Sequence, residues 1–171
     1  MDKIDFKNNQ EPDLSAETLN QMQTNIENAI KSNAITATTG TNVNYTITTA
    51  YSPIKIPLTN INCNLGSCFE LVDGNIKIKK EGYYKVNANM ICTGASNGST
   101  QVIELYKNNS RIASAYQYAP TSAFISLIIT PSVFYGRVGD LITMKLSSNN
   151  TDTEFTVGGG IYTYMTVEKL N

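Results

Sequence analysis

Histidine is absent from this sequence of 171 residues, and its absence restricts the chemistry that the chain can perform. Imidazole is the commonest general base and the commonest metal ligand, so catalytic triads built on histidine and the metal-dependent reactions of small β-barrels are not expected. Carboxylate pairs for glycoside hydrolysis would have to come from turns and strand faces, where a solvated charge is the ordinary state. We therefore expect no catalytic residues, no metal site, no cofactor and no enzymatic activity. A hydrolase of surface polysaccharide is the enzymatic alternative.

Charge is also scarce. Charged residues make up 16% of the chain and the formal net charge is −1, so no long-range field attracts a polyanion. The local basic cluster of Lys77, Lys79, Lys80 and Lys85 alternates with apolar residues, which is the pattern of a solvated strand face and not of a phosphate track. We therefore expect no nucleic-acid partner.

Long apolar runs are missing as well. No stretch approaches the roughly 18 apolar residues of a membrane span, and residues 1–7 lack the apolar core of a secretion signal. We expect synthesis in a cytoplasm and no membrane partner. The three cysteines, Cys63, Cys68 and Cys92, cannot all pair within one chain, and we interpret them as small buried hydrophobic residues. A zinc site at Cys63 and Cys68 would need a second pair of ligands that the sequence does not offer.

What the sequence does contain begins with an amphipathic helix. Ser15 is a suitable N-cap, and Leu14 before it can pack on Leu19 in the next turn. A helix of about 17 residues is marginal alone in water, so its apolar face must pack on the rest of the chain, on copies of itself or on another protein. The predicted apolar face consists of Leu14, Leu19, Met22, Ile26, Ala29 and Ile30.

The segment that follows is rich in threonine and asparagine and poor in large apolar side chains, which is typical of a linker. A linker at this place would hold the helix away from the rest of the chain and favours self-association or docking of the helix. We predict an anchor or trimerisation helix in residues 1–33, a linker in residues 34–50 and a folded head domain in residues 51–171.

From Tyr45 onward the apolar period changes from about 3.6 residues to 2, which indicates β-strands. Turn signals such as Asp73-Gly74 and Gly139-Asp140 separate short runs of β-branched and aromatic residues. Many short strands without helices between them predict a mainly β protein, an antiparallel β-sandwich preceded by one short helix. The predicted strands cover residues 54–56, 76–78, 84–90, 102–106, 142–146 and 162–167.

Several of these runs stand in a characteristic order. They are Gly74-Asn75-Ile76-Lys77-Ile78, Gly82-Tyr83-Tyr84-Lys85-Val86, Leu105-Tyr106-Lys107-Asn108 and Val138-Gly139-Asp140-Leu141-Ile142, followed by Phe155 and Gly158. Their order resembles the trimeric jelly-roll domains of the C1q and tumour-necrosis-factor (TNF) type over residues 51–171. The resemblance implies a jelly-roll sandwich that forms a homotrimer through an apolar, aromatic face, while packing in the core of one copy is the alternative for each aromatic residue. The implied trimer-interface candidates are Tyr116, Tyr118, Phe124, Phe134, Tyr162 and Tyr164.

The N-terminal stretch carries a second resemblance. Residues 11–22, Glu-Pro-Asp-Leu-Ser-Ala-Glu-Thr-Leu-Asn-Gln-Met, resemble the opening of many phage tail, baseplate and fibre proteins, in which a short helix anchors or trimerises the chain. This implies a homotrimeric bacteriophage structural protein, a head fibre or decoration or a short tail fibre, that is located on the virion and binds other virion proteins through its helix.

Two alternatives stay open. In the first, the chain is the receptor-binding module of a phage tail or baseplate, and polar loops at Thr93–Thr100 and Ser147–Thr153, with Tyr116 and Tyr118 near them, recognise a glycan or protein of the host surface. In the second, the chain is a C1q/TNF-like structural protein of a bacterial surface. The sequence does not identify individual receptor-binding residues.

Overall fold

The computed structural model describes residues 19–25, 33–94, 98–119, 124–151 and 154–170. The chain divides into two compact units, Met1–Ser32 and Asn33–Asn171. In the described part of the second unit, the strands are β1 (Ala34–Thr38), β2 (Val43–Thr46), β3 (Ile54–Ile56), β4 (Asn60–Leu65), β5 (Phe69–Val72), β6 (Asn75–Ile78), β7 (Gly82–Thr93), β8 (Ser99–Lys107), β9 (Ser110–Ala119), β10 (Ile125–Gly136), β11 (Leu141–Ser148), β12 (Glu154–Val157) and β13 (Tyr164–Lys169), and a 3₁₀ turn spans Gly160–Tyr162.

These strands form two antiparallel sheets, which confirms the predicted β-sandwich. Sheet A has the order β4, β1, β13, β7 and β10, and β12 and β2 continue beside the last residues of β7. Sheet B has the order β5, β6, β11, β8 and β9, and β3 also pairs with β11. The two sheets enclose one apolar core.

Alternation along β7 shows how the sequence makes one face of a sheet apolar. Tyr84, Val86, Ala88, Met90 and Cys92 are buried, and the residues between them point away from the core. Each fully buried large side chain stabilises the fold by about 1.5–3 kcal/mol relative to exposure. The central strand of sheet A therefore contributes both a buried face and a second, outward face.

An aromatic group connects the two sheets. The ring of Tyr84 meets Phe69 edge-on at 5.6 Å and stacks on Phe134 at 5.7 Å. The hydroxyl of Tyr84 donates a hydrogen bond to the carbonyl of Lys80. Burial, assisted by the proximity of Cys68, raises the pKa of Tyr84 to about 12, so this phenol stays neutral and serves as a donor.

The predicted linker in residues 34–50 is wrong, because most of this segment is part of the sandwich. Strand β1 lies between β13 and β4, and Ile35 and Ala37 are fully buried in the core. Threonine suits such a strand, because its β-branched side chain packs well on a pleated surface, and the hydroxyl of Thr36 lies 2.9 Å from that of Thr166. Ile47, after β2, is buried as well.

The N-terminal unit is described only in part. Residues 19–25 are helical, and the side chains of Leu19 and Met22 are exposed. The other members of the predicted apolar face, Leu14, Ile26, Ala29 and Ile30, lie outside the described residues. Within the described ranges, no helix is long and apolar enough to cross a membrane.

The first and last described residues of the second unit lie at one end of the sandwich, which we term the base. The carbonyl of Asn33 accepts a hydrogen bond from the Lys169 amide at 2.8 Å, and the Leu170 amide donates to the carbonyl of Tyr83 at 2.8 Å. We term the opposite end the tip, where β7 ends at Thr93 and β8 begins at Ser99.

Hydrogen bonds to Asp140 order two turns at the base. One carboxylate oxygen accepts from the amide of Arg137 at 2.9 Å and the other from the side chain of Asn108 at 3.0 Å, with the Lys107 ammonium 3.7 Å away. Burial raises the pKa of Asp140, but these hydrogen bonds and the charges of Lys107 and Arg137 outweigh it and hold the pKa below its ordinary value.

Candidate self-association surface

The outer face of sheet A, which points away from sheet B, carries large exposed apolar side chains. They come from β7, from β10 beside it, from Phe124 before β10 and from the 3₁₀ turn. A monomeric protein rarely exposes a large contiguous apolar patch, so such a patch indicates an interaction surface. The exposed members are Tyr83, Phe124, Ile128, Val133, Tyr135, Ile161 and Tyr162.

The strand pairing brings many of these side chains together. Tyr83 of β7 pairs with Tyr135 of β10, and their rings make an edge contact at 5.2 Å. Val133 pairs with Lys85 and Ile128 pairs with Asn89 on the same face. Side chains directly opposite each other on one face of a sheet lie about 5 Å apart. The outward apolar residues of β10 therefore adjoin β7 at two places, Ile128 nearer the tip and Val133 with Tyr135 nearer the base, and Thr130 and the bulge lie between them.

Hydrogen-bonded polar side chains occupy the middle of this face. Lys85 forms an ion pair with Glu168 at 2.7 Å, so these two charges neutralise each other. Asn89 donates from its side chain to the carbonyl of Tyr162 at 2.7 Å and accepts from the hydroxyl of Ser126 at 3.2 Å. The face is therefore close to neutral and is suited to an apolar partner more than to an ionic one.

A second exposed aromatic patch lies on sheet B. Tyr116 and Tyr118 of the edge strand β9 are 79% and 57% exposed, and they pair with Val102 and Thr100 on the face that points away from the core. The charged residues of this region lie nearer the base, where the buried carboxylate of Glu104 binds the guanidinium of Arg111 at 2.7 Å. The tyrosine patch is therefore neutral and separate from the outer face of sheet A.

The six predicted interface residues fall into three groups. Tyr116, Tyr118, Phe124 and Tyr162 are exposed, so all four are accessible to a second copy. Tyr164 is half-buried and lies beside Asn89 on the outer face of sheet A.

The prediction for Phe134 is wrong. This side chain is only 8% exposed and stacks on Tyr84 inside the core. The reason is a β-bulge between Ile129 and Ser132. An extra residue in a strand reverses which positions face inward, so the buried positions of β10 are odd-numbered up to Ile129 and even-numbered from Phe134 onward.

Sequence reasoning missed five residues of the outer face of sheet A, namely Tyr83, Ile128, Val133, Tyr135 and Ile161. A signal was present for Ile128, because residues 127–129 read Leu-Ile-Ile without a polar interruption. A strand that is apolar on both faces is expected to be covered on both, and in this chain only one of the two faces of β10 meets the core.

The loops proposed for receptor binding meet at the tip. The amide of Thr100 donates to the side chain of Asn149 at 2.7 Å, and the amide of Asn149 donates back to the carbonyl of Thr100 at 3.2 Å. The amide of Gly98 donates to the carbonyl of Ala119 at 2.7 Å, which places the end of β9 beside them. The structure thus brings parts of both predicted loops into one polar surface.

The cysteines are free. Cys68 and Cys92 are buried, as predicted, and burial raises the pKa of Cys92 to about 12. Cys63 is only half-buried because β4 is an edge strand of sheet A, so the prediction fails for this residue. Among the residues that the structure describes, no three cysteine, aspartate or glutamate side chains are grouped as metal ligands would be.

Comparison with known proteins identifies the fold. No family model matches the sequence, and no curated protein matches it. Murine APRIL at pH 5.0 is similar with a TM-score of 0.59 and 14% identity, over 82% of this chain and 100% of that chain. The Eiger TNF of S. frugiperda is similar with a TM-score of 0.56 and 10% identity, over 82% of this chain and 94% of that chain. This protein therefore has a TNF-like jelly-roll fold.

Proposed function

We propose that this protein is a homotrimeric structural protein of a bacteriophage virion, a head fibre or decoration or a short tail fibre, without enzymatic activity. Its N-terminal segment binds other virion proteins, and its sandwich projects from the particle. The observation that carries self-association is the exposed apolar outer face of sheet A, which a second copy of the chain would cover.

Two separate apolar surfaces favour a ring. The outer face of sheet A and the tyrosine patch on β9 belong to opposite sheets, so a contact between them joins unlike surfaces of two copies. Contacts of this kind close into rings or extend into filaments, whereas a two-fold dimer would join like surfaces. The resemblance to trimeric C1q and TNF-type domains favours closure by three copies.

The assignment to a virion is supported by the resemblance of residues 11–22 to the openings of phage tail, baseplate and fibre proteins. The position of Asn33 at the base is compatible with it. A chain that enters the sandwich at the base leaves the tip free to face outward.

Self-association is tested by sedimentation velocity of the full chain. We expect a species of three times 18.7 kDa, or about 56 kDa. Val133→Asp should convert it to a monomer, because it places a charge among the exposed apolar side chains on the outer face of sheet A. Val138→Asp is the matched control, since Val138 is equally exposed (67% against 62%) but lies in a turn at the base. A monomeric wild type, or a Val133→Asp variant that remains trimeric, contradicts the proposal.

The location is tested by immunogold electron microscopy with an antibody against the full chain. Label on purified phage particles is the expected result, and its position distinguishes a capsid fibre from a tail fibre. Particles without label contradict the assignment, and label on the bacterial envelope would instead favour a bacterial surface protein.

Receptor binding is a second candidate function, and the polar surface at the tip favours it. The amide and hydroxyl groups around Thr100 and Asn149 suit hydrogen bonding with a neutral sugar. A glycan array and a host-cell adsorption assay with the full chain test this function. A blank result in both assays removes it and leaves the structural role unaffected.

A further inference from the structure

A pocket of about 150 Å³ opens on the outer face of sheet A at the tip. Its lining includes the rings of Phe124 and Tyr162 together with Ile91, Thr93 and Gly158. All of the lining residues are uncharged, so the pocket suits a neutral and largely apolar group. A cavity of about this volume is known to accept one benzene-sized ring.

The walls of this pocket are held in place by hydrogen bonds within the chain. The amide of Gly158 donates to the carbonyl of Ile91 at 2.8 Å, and the side chain of Asn89 donates to the carbonyl of Tyr162 at 2.7 Å. A Cβ atom at Gly158 would lie 3.3 Å from the Cβ atom of Tyr162, so glycine keeps this side of the pocket open. A binding site that is already shaped loses little entropy when it is filled.

We propose that Tyr118 of a second copy fills this pocket. This inference rests on the proposed homotrimer, and it names the residue that one copy supplies to the next. Phe124 and Tyr162 are 71% and 54% exposed in a single chain, and an inserted phenol ring would cover both. Aromatic side chains seated in such pockets commonly dominate the energy of an interface.

The inserted side chain is identified by its level, that is, by its position along the strand direction between the base and the tip. The proposed trimer has its rotation axis parallel to the strands, and such an axis carries each residue to the same level in the next copy. The pocket lies beside the last residues of β7, at Thr93, and Tyr118 pairs with Thr100 near the first residue of β8. Both therefore lie at the tip, whereas Tyr116 is two residues, or about 6.8 Å, nearer the base.

The chemistry of the pocket also fits a phenol. Asn42 and Thr93 are among its lining residues and offer an amide and a hydroxyl to the oxygen of an inserted tyrosine. A buried tyrosine hydroxyl usually finds a hydrogen-bond partner, so a tyrosine is accommodated with its ring on the aromatic walls and its oxygen at these polar groups.

The first experiment compares Tyr118→Ser with Tyr116→Ser in the full chain. Both residues are exposed on the same strand and face, so both variants should fold. Sedimentation equilibrium is expected to show that Tyr118→Ser raises the concentration at which the trimer dissociates by about tenfold or more relative to Tyr116→Ser.

The second experiment is a disulfide cross-link in a Cys63→Ser background. The pair Thr93→Cys and Tyr118→Cys should give covalent dimers and trimers on oxidation, and the pair Thr93→Cys and Tyr116→Cys should not. A link within one copy leaves a monomer on a non-reducing gel, whereas a link between copies gives covalent dimers and trimers. Only the covalent dimers and trimers therefore count as evidence for the proposed contact.

The outcomes separate this inference from the proposed function. Equal dissociation of the two serine variants, or the absence of the Thr93–Tyr118 cross-link in a chain that is trimeric, overturns the inference and leaves the homotrimer intact. A wild-type chain that is monomeric overturns the homotrimer itself and the inference with it.

Discussion

Replacing Ile35 by alanine tests whether residues 34–38 are an integral strand of the sandwich. Ile35 is fully buried in β1, which pairs with β13 on one side and β4 on the other. Removing three buried side-chain carbons forfeits about 0.8 kcal/mol for each, or about 2.4 kcal/mol together. The cavity left behind raises the expected loss in the free energy of unfolding to about 3–4 kcal/mol.

The assay is equilibrium unfolding in urea at one fixed concentration of chains, because self-association raises the apparent stability. Ile47→Ala should lose a similar amount, since Ile47 is also buried. Thr48→Ala is the control from the same segment, since Thr48 is exposed, and it should stay within about 0.5 kcal/mol of wild type. If Ile35→Ala and Thr48→Ala are equally stable, residues 34–50 do not belong to the sandwich and the reasoning is refuted.

Two further predictions concern ionisable groups. The pKa of Asp140 is lowered on folding, so near pH 4 this carboxyl binds fewer protons in the folded chain than in the unfolded chain. Its contribution to the free energy of unfolding is therefore complete at neutral pH. That contribution is lost as the pH falls from about 5 through the lowered pKa. Asp140→Asn should flatten that part of the pH dependence of urea unfolding, and an unchanged slope would show that the contacts with Arg137 and Asn108 do not favour the carboxylate. In the folded protein, a thiol reagent should modify Cys63 faster than Cys68 or Cys92, because the latter two are buried and burial raises the pKa of Cys92 to about 12. The Cys63→Ser variant should lack the fast phase of modification. Rapid modification of that variant would contradict the burial of Cys68 and Cys92.

The two-residue period of the apolar side chains and the residues typical of turns were sufficient to predict much of the sandwich. The Asp73-Gly74 turn was identifiable because both residues tolerate positive φ, and they have φ values of 47° and 72° between β5 and β6. Five of the six predicted strands fall within strands of the structure. The sixth, residues 162–167, was predicted to begin two residues too early, because Tyr162 ends the 3₁₀ turn and β13 begins at Tyr164.

Other strands were not predictable from local pattern. Strand β1 is composed of alanine, isoleucine and threonine, and its place between β13 and β4 depends on partners more than 20 residues away in sequence. Strand β10 carries apolar residues on both faces and contains Pro131 and a bulge, so its alternation is interrupted. The local alternation of apolar and polar residues does not predict which distant strands will pair.

The sequence indicates which types of residue form the candidate surface, but it does not indicate which individual residues face outward. Aromatic side chains in the second half of the sequence were predicted as interface residues, and four of the six are exposed. The bulge in β10 moved Phe134 into the core and Val133 and Tyr135 to the outer face. An alternating pattern predicts which side chains of a strand point toward the core only up to the first extra residue, such as a β-bulge.

The arrangement of the chain at the base has a practical consequence for engineering. Because Asn33 and Leu170 are held by hydrogen bonds at the same end, a protein fused after the last strand would emerge at the base, beside the point where the chain enters the sandwich. A peptide inserted between Gly98 and Ser99, or next to Asn149, would instead be displayed at the opposite end, away from both termini of the sandwich.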